Sequence, residues 1–234
     1  MTLPIKSVLP AYLDPKIVRK TAARRGFIHA YDRLEARKTA LVVIDMTAAS
    51  VSNDPKCQNL IDPINKVAVE LRRKGGVVAW VRPAPNSNMR HLERLCGANA
   101  AAAFREDANP ANSRSSLFAA LDVKVEDIFA LKDGFSAFFP GKCDLHEKLY
   151  AHGIDHIIIA GTVTNVCCES SARDAVELGY RITMLQDGNA GHSHGLHEAS
   201  LNTIYRIFGD VRSSGEIIDM IEGLQVQAYQ SDTP

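Results

Sequence analysis

The fold is decided by the stretch Ile157-Ile-Ile-Ala-Gly-Thr-Val-Thr-Asn-Val-Cys-Cys-Glu-Ser-Ser-Ala-Arg-Asp-Ala-Val-Glu-Leu178. Its first residues are β-branched, which predicts a strand buried on both faces, as in a parallel sheet. Gly161 ends this strand, and the Thr and Asn side chains that follow supply N-cap chemistry for a helix. A strand, a tight turn and a helix in this order form one unit of an α/β protein.

Two cysteines fall in the first turn of the predicted helix. Free N–H groups and the helix dipole favour an anion there, so a thiol at this place tends to ionise. The spacing of a buried helical stripe is met by Cys168, Ala172, Ala175 and Val176, which predicts Cys168 as a small core residue. Cys167 lies about 100° further round the helix, where it can face the strand ends. Cys167 is therefore a candidate nucleophile, and the alternative is that both cysteines merely pack.

Length and composition set the class of protein. The chain has 234 residues, of which 46% are hydrophobic, enough for one well-buried α/β domain. Its formal net charge is zero, which argues against a broad basic surface for nucleic acid or anionic lipid. The first residues lack the pattern of a secretory signal, and no apolar run approaches the roughly 20 residues of a membrane span. We expect a cytoplasmic protein without nucleic-acid or membrane partners.

Cysteine and histidine usage does not favour a metal centre. The five cysteines are an odd number and form no CxxC pair, so neither a disulfide scaffold nor a zinc knuckle is expected. His192, His194 and His197 form one dense group, but no cysteine or carboxylate pair frames them. A solvated loop followed by a histidine at a helix start is favoured over a metal site. We expect neither a metal nor another cofactor.

Strands and helices alternate from residue 39 onward. Apolar runs predict strands at 39–45, 77–81, 128–131, 157–160 and 182–185 and near 211, with helical stretches between them. This alternation predicts a three-layer, Rossmann-like α/β fold with a six-stranded, mostly parallel sheet and helices on both faces.

Two segments depart from this alternation. Residues 1–38 are expected to be an N-terminal extension with one helix, before a domain that covers residues 39–234. Residues 83–126 form a long excursion of the kind that often covers or lines a site.

Ligands of such sheets bind at the carboxyl ends of the strands, where two charged residues stand out. Asp45 directly follows an apolar strand, and a desolvated carboxylate there suits a general base. Lys132 closes the third strand, and a cation beside a thiol lowers the pKa of the thiol. Taken singly, Asp45 is better explained as a cap or turn former, and Lys132 as an ordinary solvated lysine.

Three segments together resemble the isochorismatase-like cysteine hydrolase superfamily, in its order and at its spacing. They are Leu41-Val-Val-Ile-Asp-Met46, Leu131-Lys-Asp-Gly-Phe-Ser-Ala-Phe-Phe139 and Gly161-Thr-Val-Thr-Asn-Val-Cys-Cys-Glu-Ser-Ser-Ala-Arg-Asp-Ala175. The resemblance covers about residues 38–222. It implies a catalytic triad of Asp45, Lys132 and Cys167.

The branch of the family is indicated by what the sequence lacks. Nicotinamidases carry an Asp-x-His metal motif after the second strand, where this chain reads Trp80-Val-Arg-Pro-Ala-Pro-Asn86. Isochorismatases proper lack the nucleophilic cysteine and cleave a vinyl ether by acid catalysis. The sequence around Cys167 looks closest to ureidoacrylate and carbamoyl amidohydrolases. The sequence departs from the family after Asp45. The family commonly has glutamine and then an aromatic residue there, whereas this chain has Thr47 and the small residues 48–50. This change is expected to alter a pocket wall.

The resemblance implies a hydrolase that cleaves a C–N bond of a small amide or ureido compound through a thioester. Asp45 would take the proton of Cys167, and Lys132 would stabilise the thiolate. The N–H groups of Val163 and Cys167 would hold the oxyanion, with a cis bond between Thr162 and Val163.

Predictions for the substrate pocket and the assembly complete this interpretation. Trp80, Phe135 and Phe138 are predicted to form an apolar wall of the substrate pocket, and Arg82 to bind a substrate carboxylate. The protein is expected to be a homo-oligomer, either a dimer or a tetramer. Two alternatives remain: vinyl ether hydrolysis with Asp45 as the acid, and a non-catalytic redox or binding protein that uses the adjacent thiols of Cys167 and Cys168.

Overall fold

The computed structural model describes residues 12–85 and 90–224. Within them lies one sheet of six strands in the order β3-β2-β1-β4-β5-β6. Every neighbouring pair is parallel, which confirms the predicted fold class. The strands are β1 (Thr39–Ile44), β2 (Val77–Pro83), β3 (Ile128–Lys132), β4 (His156–Thr162), β5 (Arg181–Ala190) and β6 (Asp210–Arg212).

Helices cover both faces of the sheet. They are α1 (Pro15–Arg25), α2 (Ala48–Val51), α3 (Pro55–Gln58), α4 (Ile61–Arg73), α5 (Arg90–Cys96), α6 (Ala98–Ala108), α7 (Leu145–Ala151), α8 (Glu169–Glu177), α9 (His194–Thr203) and α10 (Ser214–Glu222). Two π-helical turns, Thr164–Cys168 and Ile204–Phe208, directly precede α8 and follow α9. None of the helices in the described part of the chain is long and apolar enough to cross a membrane.

The alternation of side chains along the strands produces two cores. On one face, residues such as Leu41 and Val43 pack against α4 and α10. On the other, residues such as Val42 and Ile157 pack against α1, α7, α8 and α9. The central strands β1 and β4 are buried along their whole length, because both faces are covered.

The topology creates a crevice above the centre of the sheet. From β1 the chain runs outward through β2 to β3, and then returns to place β4 on the other side of β1. The connections that leave β1 and β4 therefore diverge at their carboxyl ends, where open parallel sheets bind ligands. Residues 116–118 of the excursion return to this edge: Phe118 N–H donates to Met46 O at 3.0 Å, and Ala48 N–H donates to Ser116 O at 2.9 Å.

The N-terminal segment lies on the sixth-strand side of the domain. Helix α1 begins after Asp14, whose side chain caps it, and buries Val18 in the core. Further on, His29 Nδ1 is 3.1 Å from Asp210 Oδ1. Burial alone would raise the pKa of Asp210, but His29 and Arg212 outweigh it and lower the pKa. These contacts fasten residues 12–38 to β6.

Gly161 allows β1 and β4 to approach closely just before the turn that carries Cys167. Its φ is +119°, and an added Cβ would lie 2.1 Å from Ile44 O. We expect Gly161→Ala to lower the free energy of unfolding by about 3 kcal/mol or more, because strain and overlap add. Gly153→Ala is the matched control, since Gly153 also has positive φ but nothing within 4 Å of the added Cβ. Urea denaturation measures both, and equal losses would contradict the close-approach explanation.

Candidate active site

Asp45, Lys132 and Cys167 come together at the carboxyl edge of the sheet. Asp45 follows β1, Lys132 is the last residue of β3, and Cys167 lies in the π-helical turn after β4. Lys132 Nζ is 2.9 Å from Asp45 Oδ2 and 3.6 Å from Cys167 Sγ. Strand β2 separates β1 from β3, so this meeting depends on the order of strands in the sheet.

Asp45 occupies an unusual backbone conformation. Its φ is +54°, in the left-handed region that few residues other than glycine and asparagine or aspartate adopt. Its N–H donates to Val81 O at 2.9 Å, and its side chain is buried. One carboxylate oxygen pairs with Lys132, whereas Oδ1 accepts no hydrogen bond from the described residues. Positive φ at a non-glycine residue is a feature that often marks a functional site.

Lys132 is held as a buried cation, with only 1% of its surface exposed. Its ammonium group donates to Gly134 O at 3.0 Å as well as contacting Asp45 and Cys167. Burial by itself lowers the pKa of Lys132, but the nearby charge of Asp45 outweighs it and the net effect raises the pKa. Lys132 is therefore protonated at neutral pH.

The surroundings of Cys167 favour the neutral form of its thiol in the free protein. Burial and the charge of Asp45 raise the pKa of Cys167 to about 12, although Lys132 opposes them. Burial and the charge of Asp45 therefore oppose the ionisation that a helix start favours. The site instead holds a thiol beside a carboxylate and an ammonium group, which is an arrangement for proton transfer at the moment of reaction.

The protonation state predicts a pH profile for alkylation. Only the thiolate reacts with iodoacetamide, so the rate at Cys167 should rise about tenfold per pH unit from pH 6 to 10 without levelling off near 9. Peptide mass spectrometry measures this rate, and the exposed thiol of Cys96 in the same samples reports how the reagent responds to pH. A plateau below pH 8 would show that Cys167 is already ionised at rest.

The turn that carries Cys167 is fixed on both sides. The Thr162–Val163 peptide bond is cis, which confirms the prediction. Thr164 is fully buried, and its Oγ1 lies 2.8 Å from His197 Nδ1. On the other side, Ser171 Oγ donates to Cys167 O at 2.6 Å and accepts from Ala137 N–H at 2.9 Å. These hydroxyls join the turn that carries Cys167 to α9 and to the segment after Lys132.

The sequence reasoning missed both hydroxyls. The signal for Ser171 is its place four residues after Cys167, on a helix side that is otherwise apolar. Cys168 is fully buried, which confirms its prediction as a core residue. The regular helix begins only at Glu169, so the two cysteines lie in the π-helical turn rather than in the first turn of an α-helix.

Two of the predicted wall residues belong to the core instead. Trp80 is 1% exposed, packs in the core beneath α4, and donates its indole N–H to Asp127 Oδ2 at 2.7 Å. Phe138 is 2% exposed and packs against Tyr180 in the opposite core. Large aromatic residues occur both in cores and in cleft walls. The sequence alone therefore cannot tell which of the two Trp80 and Phe138 occupy. The assignment of Trp80 and Phe138 to a substrate wall is therefore corrected.

Arg82 and Phe135 have more accessible positions. Arg82 donates from Nη1 to Ser115 O at 2.9 Å, so one of its N–H groups is bonded to the segment 83–126. Phe135 is 40% exposed and packs edge-on against His91, with ring centroids 5.0 Å apart. Together with Gly134 and Ser136, Phe135 lines an open cleft of about 870 Å³, whose lining residues do not include Asp45, Lys132 or Cys167.

The histidine-rich loop does not assemble metal ligands. Among residues 12–85 and 90–224, no group of three or more His, Cys, Asp or Glu side chains is placed to hold a metal ion. His194 Nε2 is instead 3.1 Å from Glu198, and His197 contacts Thr164.

Comparison with known proteins identifies the family. Residues 39–216 match the isochorismatase domain. The chain is 29% identical over 189 residues to the uncharacterized isochorismatase family protein YwoC of Bacillus subtilis, covering 81% of this chain and 97% of that one. It is 35% identical over 105 residues to the ureidoacrylate amidohydrolase RutB of Variovorax paradoxus, covering 44% of this chain and 40% of the relative.

Among solved structures, a cysteine hydrolase from Pseudomonas syringae pv. phaseolicola superposes with a TM-score of 0.74 at 26% identity. The superposition covers 83% of this chain and 97% of that structure. The match of the domain agrees with the segments that carry Asp45, Lys132 and Cys167. The chain belongs to the isochorismatase family and is a hydrolase.

Proposed function

We propose that the protein is a cysteine hydrolase that cleaves a C–N bond of a small amide or ureido compound through a thioester on Cys167. The observation that carries this proposal is the position of Lys132 Nζ, 2.9 Å from Asp45 and 3.6 Å from Cys167 Sγ. A buried ammonium group shared by a carboxylate and a thiol can stabilise negative charge on either of them. When the proton passes from sulfur to Asp45, the negative charge moves to sulfur and still lies beside the ammonium group of Lys132.

In the first half of the reaction, Asp45 takes the proton of the Cys167 thiol. The thiolate attacks the substrate carbonyl carbon, and the N–H groups of Val163 and Cys167 hold the resulting oxyanion. Protonated Asp45 then gives its proton to the leaving amine as the C–N bond breaks. This step leaves a thioester on Cys167 and a carboxylate at Asp45.

In the second half, Asp45 acts as a base again. It takes a proton from water, whose oxygen attacks the thioester, and the acid product leaves as the C–S bond breaks. The sulfur regains the proton from Asp45, so the free thiol and the carboxylate are restored. Oδ1 of Asp45 supports this role, because it accepts no hydrogen bond from residues 12–85 and 90–224 and can therefore take a proton.

The substrate class is supported by the relatives. The ureidoacrylate amidohydrolase of Variovorax paradoxus shares 35% identity with this chain over 105 residues. Arg82 keeps its proposed role of binding a substrate carboxylate, although Ser115 O already accepts one of its N–H groups.

The redox alternative requires Cys168 as a second reactive thiol, and the surroundings of Cys168 do not favour that role. Burial raises the pKa of Cys168 well above its ordinary value, and the side chain is fully covered. A resolving thiol needs to be accessible and readily ionised. Cys168 meets neither condition.

A panel of small amides, ureas, carbamoylated acids and one vinyl ether acid tests the proposal. We expect ammonia release from at least one amide or ureido compound, and no release with the Cys167→Ala protein. Cleavage of the vinyl ether alone, retained in Cys167→Ala, would support the acid-catalysed alternative and overturn the proposal.

A further inference from the structure

Ser171 is a buried hydroxyl that links two separate segments of the site. It lies in α8, four residues after Cys167, and it is fully buried. Its Oγ donates to Cys167 O at 2.6 Å and accepts from Ala137 N–H at 2.9 Å. The hydroxyl therefore uses its single donor on one part of the chain and a lone pair on another.

The second of these bonds distinguishes Ser171 from an ordinary helical serine. A bond from a hydroxyl to the carbonyl four residues earlier is common in helices and indicates no function by itself. Thr203 makes such a bond at 2.8 Å in α9. Ser171 also bonds to Ala137, which is not in its helix but in the segment that follows Lys132. The hydroxyl of Ser171 therefore spans from the helix after the nucleophile to the segment that carries the lysine.

Ser171 completes a chain of hydrogen bonds between Lys132 and the turn that carries Cys167. Lys132 Nζ donates to Gly134 O at 3.0 Å, in the segment that follows β3. Ala137 of the same segment is bonded to Ser171, which is bonded to the backbone of Cys167. Because this chain runs from the ammonium group to the backbone of the nucleophile, the 3.6 Å between Lys132 Nζ and Cys167 Sγ depends on it.

A small change in this distance alters the fraction of thiolate. The attraction between two charges falls with the inverse of their separation, so an increase of about 1 Å from 3.6 Å weakens it by about a fifth. At an effective dielectric constant of about 20, this loss corresponds to about a fivefold smaller thiolate fraction at a fixed pH. Burial and the charge of Asp45 raise the pKa of Cys167, and Lys132 opposes them. The position of Lys132 therefore decides how strongly it opposes them.

We propose that Ser171 is a positioning residue, which holds the turn that carries Cys167 against the segment after Lys132 and thereby sets the distance from the ammonium group to the sulfur. The inference rests on the proposed function only in taking Cys167 as the nucleophile. The hydroxyl of Ser171 bonds to backbone groups, so it acts through Cys167 and not on the substrate.

The alkylation rate of Cys167 at pH 9 tests this role in the full-length protein without requiring turnover. Ser171→Ala removes both bonds, and we expect the iodoacetamide rate at Cys167 to fall about fivefold. A merely structural loosening would expose the thiol and speed its alkylation, or leave the rate unchanged. Either of these results would overturn the proposal.

A Lys132→Ala background separates an effect through the ammonium group from a general one. Once Lys132 is replaced, no charge is left whose distance Ser171 could set. Ser171→Ala should therefore change the alkylation rate by less than about twofold in that background, against about fivefold in wild type. An equal fall in both backgrounds would overturn the proposal.

Thr183→Val is the matched control for the loss of a buried hydroxyl. Thr183 Oγ1 is 2.9 Å from His156 Nε2, and both residues are buried, but His156 begins β4 at the end of the sheet away from Cys167. We expect its alkylation rate to match that of wild type. A fall as large as in Ser171→Ala would show that any such loss slows alkylation and would overturn the proposal.

A second variant replaces Ser171→Ala if that protein does not fold. Ser171→Cys is close in size to wild type but forms weaker hydrogen bonds, so the rate at Cys167 should fall about twofold or more. Fragment-ion mass spectrometry distinguishes Cys167 from the introduced thiol, and an unchanged rate would overturn the proposal. The proposed function itself fails on a different result, hydrolysis retained in Cys167→Ala, which these alkylation rates do not affect.

Discussion

Cys167→Ala should abolish hydrolysis, whereas Cys168→Val should leave most of it. Cys167 Sγ lies 3.6 Å from Lys132 Nζ, and Cys168 is fully buried in the core formed with Ala172 and Ala175. Without the sulfur, no thioester can form, and activity should fall by at least about a thousandfold. An apolar replacement of similar volume in the core typically costs less than about 1.5 kcal/mol.

Steady-state rates and urea denaturation of both variants measure these effects. Cys168→Val is the matched control, because it alters the neighbouring sulfur without touching Lys132. Equal loss of activity in two folded variants would contradict the assignment of Cys167 as the nucleophile.

Lys132→Ala should reduce turnover by well over tenfold and slow the alkylation of Cys167. The ammonium group opposes the effects of burial and of Asp45 on the pKa of Cys167, so its removal raises that pKa further. Each unit of pKa corresponds to about 1.36 kcal/mol and to about a tenfold smaller thiolate fraction at a fixed pH. The alkylation rate at pH 9 should therefore fall by about tenfold or more.

Lys142→Ala is the control for the loss of a positive charge on the same segment. Lys142 is about half exposed and pairs with Asp133 at 2.6 Å, away from the thiol. We expect its alkylation rate to match that of wild type. The same rate in Lys132→Ala and wild type would show that the ammonium group does not stabilise the thiolate.

The sequence predicts the sheet well because its central strands are unambiguous. The runs at 41–44 and 157–159 are continuous and apolar, and only a strand covered on both faces satisfies them. The end of β5 was predicted poorly: the apolar run stops at Leu185, but the strand continues to Ala190. In this part of the strand, the side chain of Asn189 donates hydrogen bonds to Ile159 O and Leu185 O. Such bonds produce no periodic pattern of apolar residues in the sequence, so the end of the strand could not be predicted.

The sequence predicts which residues come together in the candidate site, but it does not predict their pKa values. Strand ends and family resemblance locate Asp45, Lys132 and Cys167, because these positions follow from local sequence. The pKa of Cys167 depends on its burial and on the charge of Asp45, which lies more than a hundred residues away in the chain. The contact of His197 with Thr164 is likewise set by the packing of α9 and could not be read from either segment alone.

Some predictions remain to be tested by experiment. The dimeric or tetrameric state is one of them, and Phe129 and Leu131 on the edge strand β3 supply exposed apolar surface that association could cover. The role of Arg82 toward a substrate carboxylate is another.

The most direct test of the thioester mechanism is the intact mass of the protein quenched in acid during turnover of an amide or ureido substrate. We expect an adduct equal to the acyl part of the substrate, mapped by peptide mass spectrometry to Cys167 and lost on further incubation. The adduct should be absent from Cys167→Ala and present in Cys168→Val. Ammonia release at full rate without any adduct, and equally in Cys167→Ala, would contradict covalent catalysis by Cys167.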